Sequence, residues 1–168
     1  MPKTYEPIST QTLGSDTATV TFSTIPQTYT DLILVCMTRS TRAANLSDTM
    51  RVRFNSDTGS NYSTTVLQGS VDGAESTRFT NATFCYLNMP AVSATTEPIG
   101  FSIWNIMNYS NATTYKTTLQ KAANLGNQVD LDCSLWRNTA AITTIDISAA
   151  NGNLLSGSRF TLYGIKAA

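Results

Sequence analysis

Apolar residues in this chain recur at every second position, in short bursts, and no sustained helical period is present. Ala18, Val20 and Phe22 share one side of the segment 18–25, with threonines on the other side. Met50, Val52 and Phe54 alternate with Arg51 and Arg53 in the same way. A period of two belongs to a strand with one face buried. The run Leu32-Ile33-Leu34-Val35-Cys36-Met37 is continuous, too short for a helix and rich in β-branched residues, which predicts a strand buried on both faces. Further strands are expected at 5–13, 62–68, 78–88, 99–107, 113–121, 128–136, 141–148 and 158–166, giving about ten or eleven. Turn residues stand between them, as in Ser56-Asp57-Thr58-Gly59, Val71-Asp72-Gly73, Asn108-Tyr109-Ser110-Asn111 and Asn151-Gly152-Asn153. The segment 118–125 is the one candidate helix, and its flanks favour a strand followed by a loop. The expected fold is all-β: a single-domain antiparallel β-sandwich of jelly-roll type. Its core would hold Leu32, Leu34, Val52, Phe54, Phe101, Ile103, Leu131, Leu135, Ile145 and Leu162.

The polar residues fit that fold. Ser, Thr and Asn together make 58 of the 168 residues, interleaved with apolar ones rather than pooled. Threonine suits a solvated pleated face without adding charge. Charged residues are only 13% and balance at eleven of each sign, so no global field points to nucleic acid or a membrane surface. The chain has no histidine, which excludes His-based triads, imidazole acid–base catalysis and His-ligated metals. No apolar run reaches the ~20 residues needed to span a bilayer, and no secretory leader is evident. Cys36, Cys85 and Cys133 each sit in an apolar stretch and are expected as buried core residues of a chain made in a reducing cytoplasm.

Few side chains suggest chemistry. Asp130 and Asp132 flank Leu131, so both carboxylates share one strand face, an arrangement that can serve glycoside hydrolysis or hold a cation. The simpler expectation is a solvated outer face backed by an inner face of Val129, Leu131, Cys133 and Leu135. The loop Asp57-Thr58-Gly59-Ser60-Asn61 places oxygens around a glycine, as calcium loops do, but lacks their closing glutamate and reads as turn chemistry. Arg39, Arg42, Arg51 and Arg53 form the one local charge asymmetry, suited to an acidic partner surface or a phosphate, with solvation of a strand face as the alternative for Arg51 and Arg53. Trp104, Trp136, Tyr109 and Tyr115 are expected in the core by default, with a contact role as the alternative for Tyr29, Tyr62 and Tyr109, which sit beside turns.

Six segments carry a resemblance. They are Thr4-Tyr5-Glu6-Pro7-Ile8, the stretch from Phe22 to Leu32, the stretch from Arg53 to Tyr62, the stretch from Met107 to Lys116, Leu135-Trp136-Arg137-Asn138-Thr139-Ala140-Ala141-Ile142, and Phe160-Thr161-Leu162-Tyr163-Gly164-Ile165. Nearly end to end, the chain resembles a family of small β-rich virion proteins of tailed bacteriophages. The resemblance implies a jelly-roll-like module, usually a homotrimer, decorating a capsid or sitting in a tail fibre, and it carries no catalytic residues. The expectation is a capsid decoration (cement) protein that is not an enzyme, takes no cofactor or metal, and clamps neighbouring copies of the major capsid protein on the outside of the head. The alternative is a tail-fibre module recognising host glycans. A hydrolase using Asp130, Asp132 or Asp57 is the reading from a different class. Residues 1–12, with Pro2 and Pro7 but also the apolar Tyr5 and Ile8, are expected to form an extended docking arm or the first edge strand, ahead of a sandwich spanning 13–168. In the docking case Tyr5, Ile8, Arg39, Arg42, Arg51 and Arg53 would face the partner.

Overall fold

The computed structural model describes residues 4–43, 45–91, 99–124 and 128–166. Among them there is no helix, and twelve strands form two antiparallel sheets. In chain order these are β1 (Tyr5–Thr12), β2 (Thr19–Phe22), β3 (Asp31–Thr38), β4 (Ser47–Phe54), β5 (Tyr62–Ser70) and β6 (Gly73–Ala82). They continue as β7 (Cys85–Pro90), β8 (Gly100–Ile106), β9 (Lys116–Asn124), β10 (Gln128–Trp136), β11 (Ile145–Ala149) and β12 (Arg159–Ile165). The larger sheet has eight strands in the order β1-β12-β3-β8-β9-β10-β5-β6, and the smaller has the order β2-β11-β4-β7. The expected strand at 78–88 is in fact the end of β6 and the start of β7, which lie in different sheets. Asn81, in the left-handed conformation at φ 53°, stands just before that crossing.

One hydrophobic cluster joins the two sheets. The larger sheet contributes Leu32, Leu34, Trp104, Ile106, Phe160 and Leu162, and the smaller contributes Val20, Phe22, Met50, Val52, Phe54, Leu87, Ile145 and Ile147. The alternation in β4 is therefore as the sequence predicts, with Met50, Val52 and Phe54 buried and the two arginines turned away. Strand β3 departs from expectation. Leu32, Leu34 and Cys36 are buried, but Ile33 and Val35 are only half-buried and Met37 is exposed, so one of its faces is uncovered. Phe101 is likewise exposed and Ile103 and Leu135 half-buried, because all three point to the outer side of the larger sheet. Tyr62 and Tyr109 are fully buried, which keeps the core reading and sets aside the contact alternative for both. Tyr62 stacks against Trp136 at 6.3 Å and donates to the Phe54 and Asp57 carbonyls, and Tyr109 donates to the Pro26 carbonyl. Tyr115 departs from the core expectation and is exposed.

A tight turn ends β4. Asn55 and Ser56 both have positive φ, at 53° and 54°, and the Asp57 amide donates to the Phe54 carbonyl at 3.0 Å. Asn55 offsets the strain by accepting the Thr143 and Thr144 amides at 2.8 and 3.1 Å. A different constraint acts at Gly164 in β12, where the Tyr29 ring lies directly on the backbone and an added Cβ would overlap it. Gly164→Ala is expected to destabilise by roughly 1–3 kcal/mol through overpacking. In a double-mutant cycle read by thermal melts, much of that loss should disappear when Tyr29 is also replaced by alanine; strictly additive losses would show that the ring is not what the methyl meets.

Candidate functional site

The outer face of the larger sheet is the most distinctive surface of the molecule. Strand register lines its residues into rows. One row runs Arg159–Met37–Phe101–Ala123–Val129–Gly69–Ala74 from β12 to β6. The next runs Thr161–Val35–Ile103–Lys121–Leu131–Leu67–Ser76. Val129 is 61% exposed and Leu131 is 44% exposed, and Met37, Leu67 and Phe101 are open to a similar degree. Two grooves indent this face. One of about 610 Å³ lies among Leu67, Ala74, Lys121, Val129 and Leu131, and one of about 460 Å³ lies over Tyr5, Ile33, Val35, Ile103 and Tyr163.

This arrangement overturns the expected facing of β10. Val129, Leu131 and Cys133 point outward, while Asp130, Asp132 and Ser134 are buried, Asp130 at 4% exposure and Asp132 at 1%. The cysteines separate accordingly: Cys36 and Cys85 are core residues whose thiols burial pushes up to about 12, but Cys133 is exposed. The physical reason lies in the neighbours. On the inner side, Ser134 faces Thr118 of β9 and Thr64 of β5, and Asp132 faces Gln120 and Val66. Three adjacent strands thus present polar side chains inward together and satisfy one another. Gln120 Nε2 donates to Thr118 Oγ1 at 2.7 Å and to Ser134 Oγ at 2.8 Å, and Ser134 and Thr64 share a hydrogen bond of 2.8 Å. The Tyr86 amide of β7 donates to Thr64 Oγ1, tying this polar layer to the smaller sheet. The signal was present in the sequence as a regular polar alternation in β9 and β10, which β5 joins only at Thr64, but only their pairing reveals that it faces inward.

Asp132 is the exception within that layer. Both of its carboxylate oxygens are buried without a hydrogen-bond partner. Burial first, and then the neighbouring Asp130 carboxylate, push its pKa up to about 7; the Leu67 amide pulls weakly the other way from outside hydrogen-bonding geometry. The Asp130 and Asp132 pair therefore does not open to solvent, as a hydrolytic pair attacking a polymer must. Asp57 is the opposite case. Its partial burial would raise its pKa, but bonds from Trp136 Nε1 at 2.8 Å, Asn61 at 2.9 Å and the Gly59 amide at 2.8 Å hold it below the usual carboxylate range. The loop brackets Trp136 rather than presenting free oxygens. Among the described residues, no group of three or more carboxylates and cysteines converges to hold a metal ion.

The residues expected at an interface are scattered. Residues 5–12 form β1, an edge strand paired with β12 from Tyr5↔Ile165 to Thr12↔Arg159, with a bulge between Pro7 and Ser9. Ile8 packs against the core, Tyr5 is exposed beside the second groove, and Pro2 lies outside the described residues. Arg39 donates from Nε to the Ala91 carbonyl at 3.2 Å, and Arg42 to the Ser47 carbonyl at 3.1 Å, with Asp48 4.0 Å away. Arg51 and Arg53 stand apart from these two, on the outer side of the smaller sheet, with both guanidinium groups over the Phe84 ring at 4.9 and 5.8 Å. The chain matches no protein-family model and no curated protein. Its surfaces must speak for its role.

Proposed function

We propose that the protein is a structural component of a tailed-bacteriophage particle, a jelly-roll module that assembles as a homotrimer and acts as a capsid decoration protein seated across seams between major capsid subunits. One observation carries this: three adjacent strands of the larger sheet are turned inside out, with carboxylates buried and leucine and valine left open. A monomer rarely keeps a contiguous apolar patch larger than a few hundred Å² uncovered. Seven strands at ~4.8 Å spacing and two alternating rows, about four residues at ~3.3 Å, span roughly 450 Å², at the upper end of what a monomer leaves open and about half the ~800 Å² per partner of a standard stable interface. The occupant favoured is another copy of the same chain. Lys121 is the single charged side chain in the middle of the two apolar rows, so little charge is desolvated when a different patch of the next copy covers this face, as a three-fold ring requires.

Such a contact is apolar, and its strength should not depend on ion pairs. Sedimentation of the purified protein is expected to give the same trimer at low salt and at half-molar salt; dissociation at the higher salt would contradict it. The role on the head is tested by copy number. Quantitative mass spectrometry of purified particles should find hundreds of copies per virion, whereas absence from particles would sink the proposal. A second reading, a tail-fibre or receptor-binding module, is favoured by an aromatic cavity around Arg51, and a handful of copies per virion would select it.

A further inference from the structure

The smaller sheet carries on its outer side a cavity of about 310 Å³ lined by Thr49, Arg51, Phe79, Phe84, Tyr86 and Asn151, among others. Its construction is specific. The end of β6 brings Phe79 against Tyr86, their ring centroids 4.8 Å apart and tilted by 30°. Phe84 forms a floor on which the Arg51 guanidinium lies at 4.9 Å. The second arginine over that ring, Arg53, is already engaged, donating from Nε to the Thr83 carbonyl at 2.9 Å. Tyr86 is likewise engaged, with its hydroxyl donating to Asn88 at 2.6 Å. Arg51 is not: among the described residues it has no hydrogen-bond acceptor or ion pair, and its Nε is buried without a partner. No carboxylate lines the cavity; Asp48 lies behind it and receives the Asn151 side-chain amide at 2.9 Å.

A guanidinium fixed on an aromatic ring, with its donors unfilled, is prepared for a planar two-oxygen acceptor, which it binds through two parallel bonds. Leaving a buried charged donor unmatched is costly, so an acceptor that reaches it gains more than a solvent-exposed contact would. The aromatic rings beside it offer flat apolar faces for an equally flat apolar body. The volume is at the low end for small-molecule sites and too small for a folded segment. We propose that this cavity binds the carboxylate of an acidic saccharide, one uronic-acid-sized residue, with Arg51, seated on Phe84, as its anchor and the Phe79 and Tyr86 rings packing the sugar's C–H face. The proposal does not rest on the decoration reading, since a surface module on head or tail presents the same cavity.

The test is titration of the full-length protein by calorimetry or ligand-observed NMR with three probes: methyl glucuronide, the neutral methyl glucoside, and N-acetylglutamate methylamide. The glucuronide is expected to bind at least tenfold more tightly than the glucoside, and Arg51→Gln to abolish that difference. Phe79→Ser, at an exposed position, is expected to weaken both sugars alike, and it serves as the deciding variant should Arg51→Gln fail to fold. Equal affinity for the two sugars, unchanged glucuronide binding in either variant, or tighter binding of the glutamate probe would each overturn the proposal, the last by identifying a protein carboxylate as the occupant.

Discussion

Asp132→Asn is expected to stabilise the protein at pH 8 by roughly 2–4 kcal/mol and to flatten its stability between about pH 4 and pH 7. In the unfolded chain this carboxyl titrates near 3.8, whereas in the folded protein burial and the Asp130 charge push it up to about 7. Below the lower value it is protonated in both states and exacts no penalty. Between the two values the folded protein holds a proton that the unfolded chain releases, so stability falls as pH rises, by up to ~1.4 kcal/mol per pH unit. Above pH 7 the carboxylate is ionised in both states and the penalty is complete. Asparagine stays neutral throughout and offers a donor on the side where the unpartnered Gln120 Oε1 also faces inward. At ~2–4 °C per kcal/mol for a chain of this size, melting at pH 8 should rise on the order of 5–10 °C, with wild type and variant converging near pH 4. Melting curves that stay parallel across that range would show that Asp132 is not the titrating group.

The other large effect concerns association. Leu67→Glu combined with Leu131→Glu places two carboxylates on the apolar rows, where both side chains are about half-exposed in the single chain. Folding of the individual subunit should therefore change little, within about 1 kcal/mol for surface substitutions. Burying the new charges in an apolar contact costs several kcal/mol each, so the trimer is expected to dissociate to monomers at micromolar concentration. A core control separates the two effects: Leu34→Ala should cost ~2–5 kcal/mol of subunit stability through its cavity. Sedimentation velocity reads association and thermal melting reads folding. A double variant that remains trimeric would move the interface to another face, and a wild-type chain that is monomeric at all concentrations would remove it.

Strand content and the facing of β4 were legible because each rests on local alternation that a single sheet face enforces. The facing of β10 was not. Val129, Leu131 and Cys133 alternate with Asp130, Asp132 and Ser134, and either set can be the inner one by local rules. Hydrophobicity selects the first set, and the structure buries the second because Thr118, Gln120 and Thr64 arrive beside it. That choice depends on strand pairing across 70 residues, from Thr64 to Ser134, which periodicity does not contain. The same limit hid the Arg51 cavity. Arg51 and Arg53 read as two solvated arginines on one face, while Phe79 and Phe84, more than two dozen residues later in the chain, decide that one of them is pinned over a ring and left without an acceptor. The Asp57 loop was readable as turn chemistry, since its partners Gly59 and Asn61 are close in sequence, although Trp136 as its main donor was not.

Strand β6 has every residue from Gly73 to Asn81 exposed and forms one margin of the larger sheet. The opposite margin, β1, is blunted by Pro7 and its bulge. Strand β6 has neither proline nor lysine, and its outer row of backbone amides and carbonyls is an unused template ten residues long. Proteases and stray extended chains should meet the molecule there first. Arg78 stands in the middle of that ribbon, so brief trypsin treatment should nick the chain at Arg78 before any of the half-buried arginines, and the nicked hairpin becomes the expected seed of strand-swapped aggregates during storage.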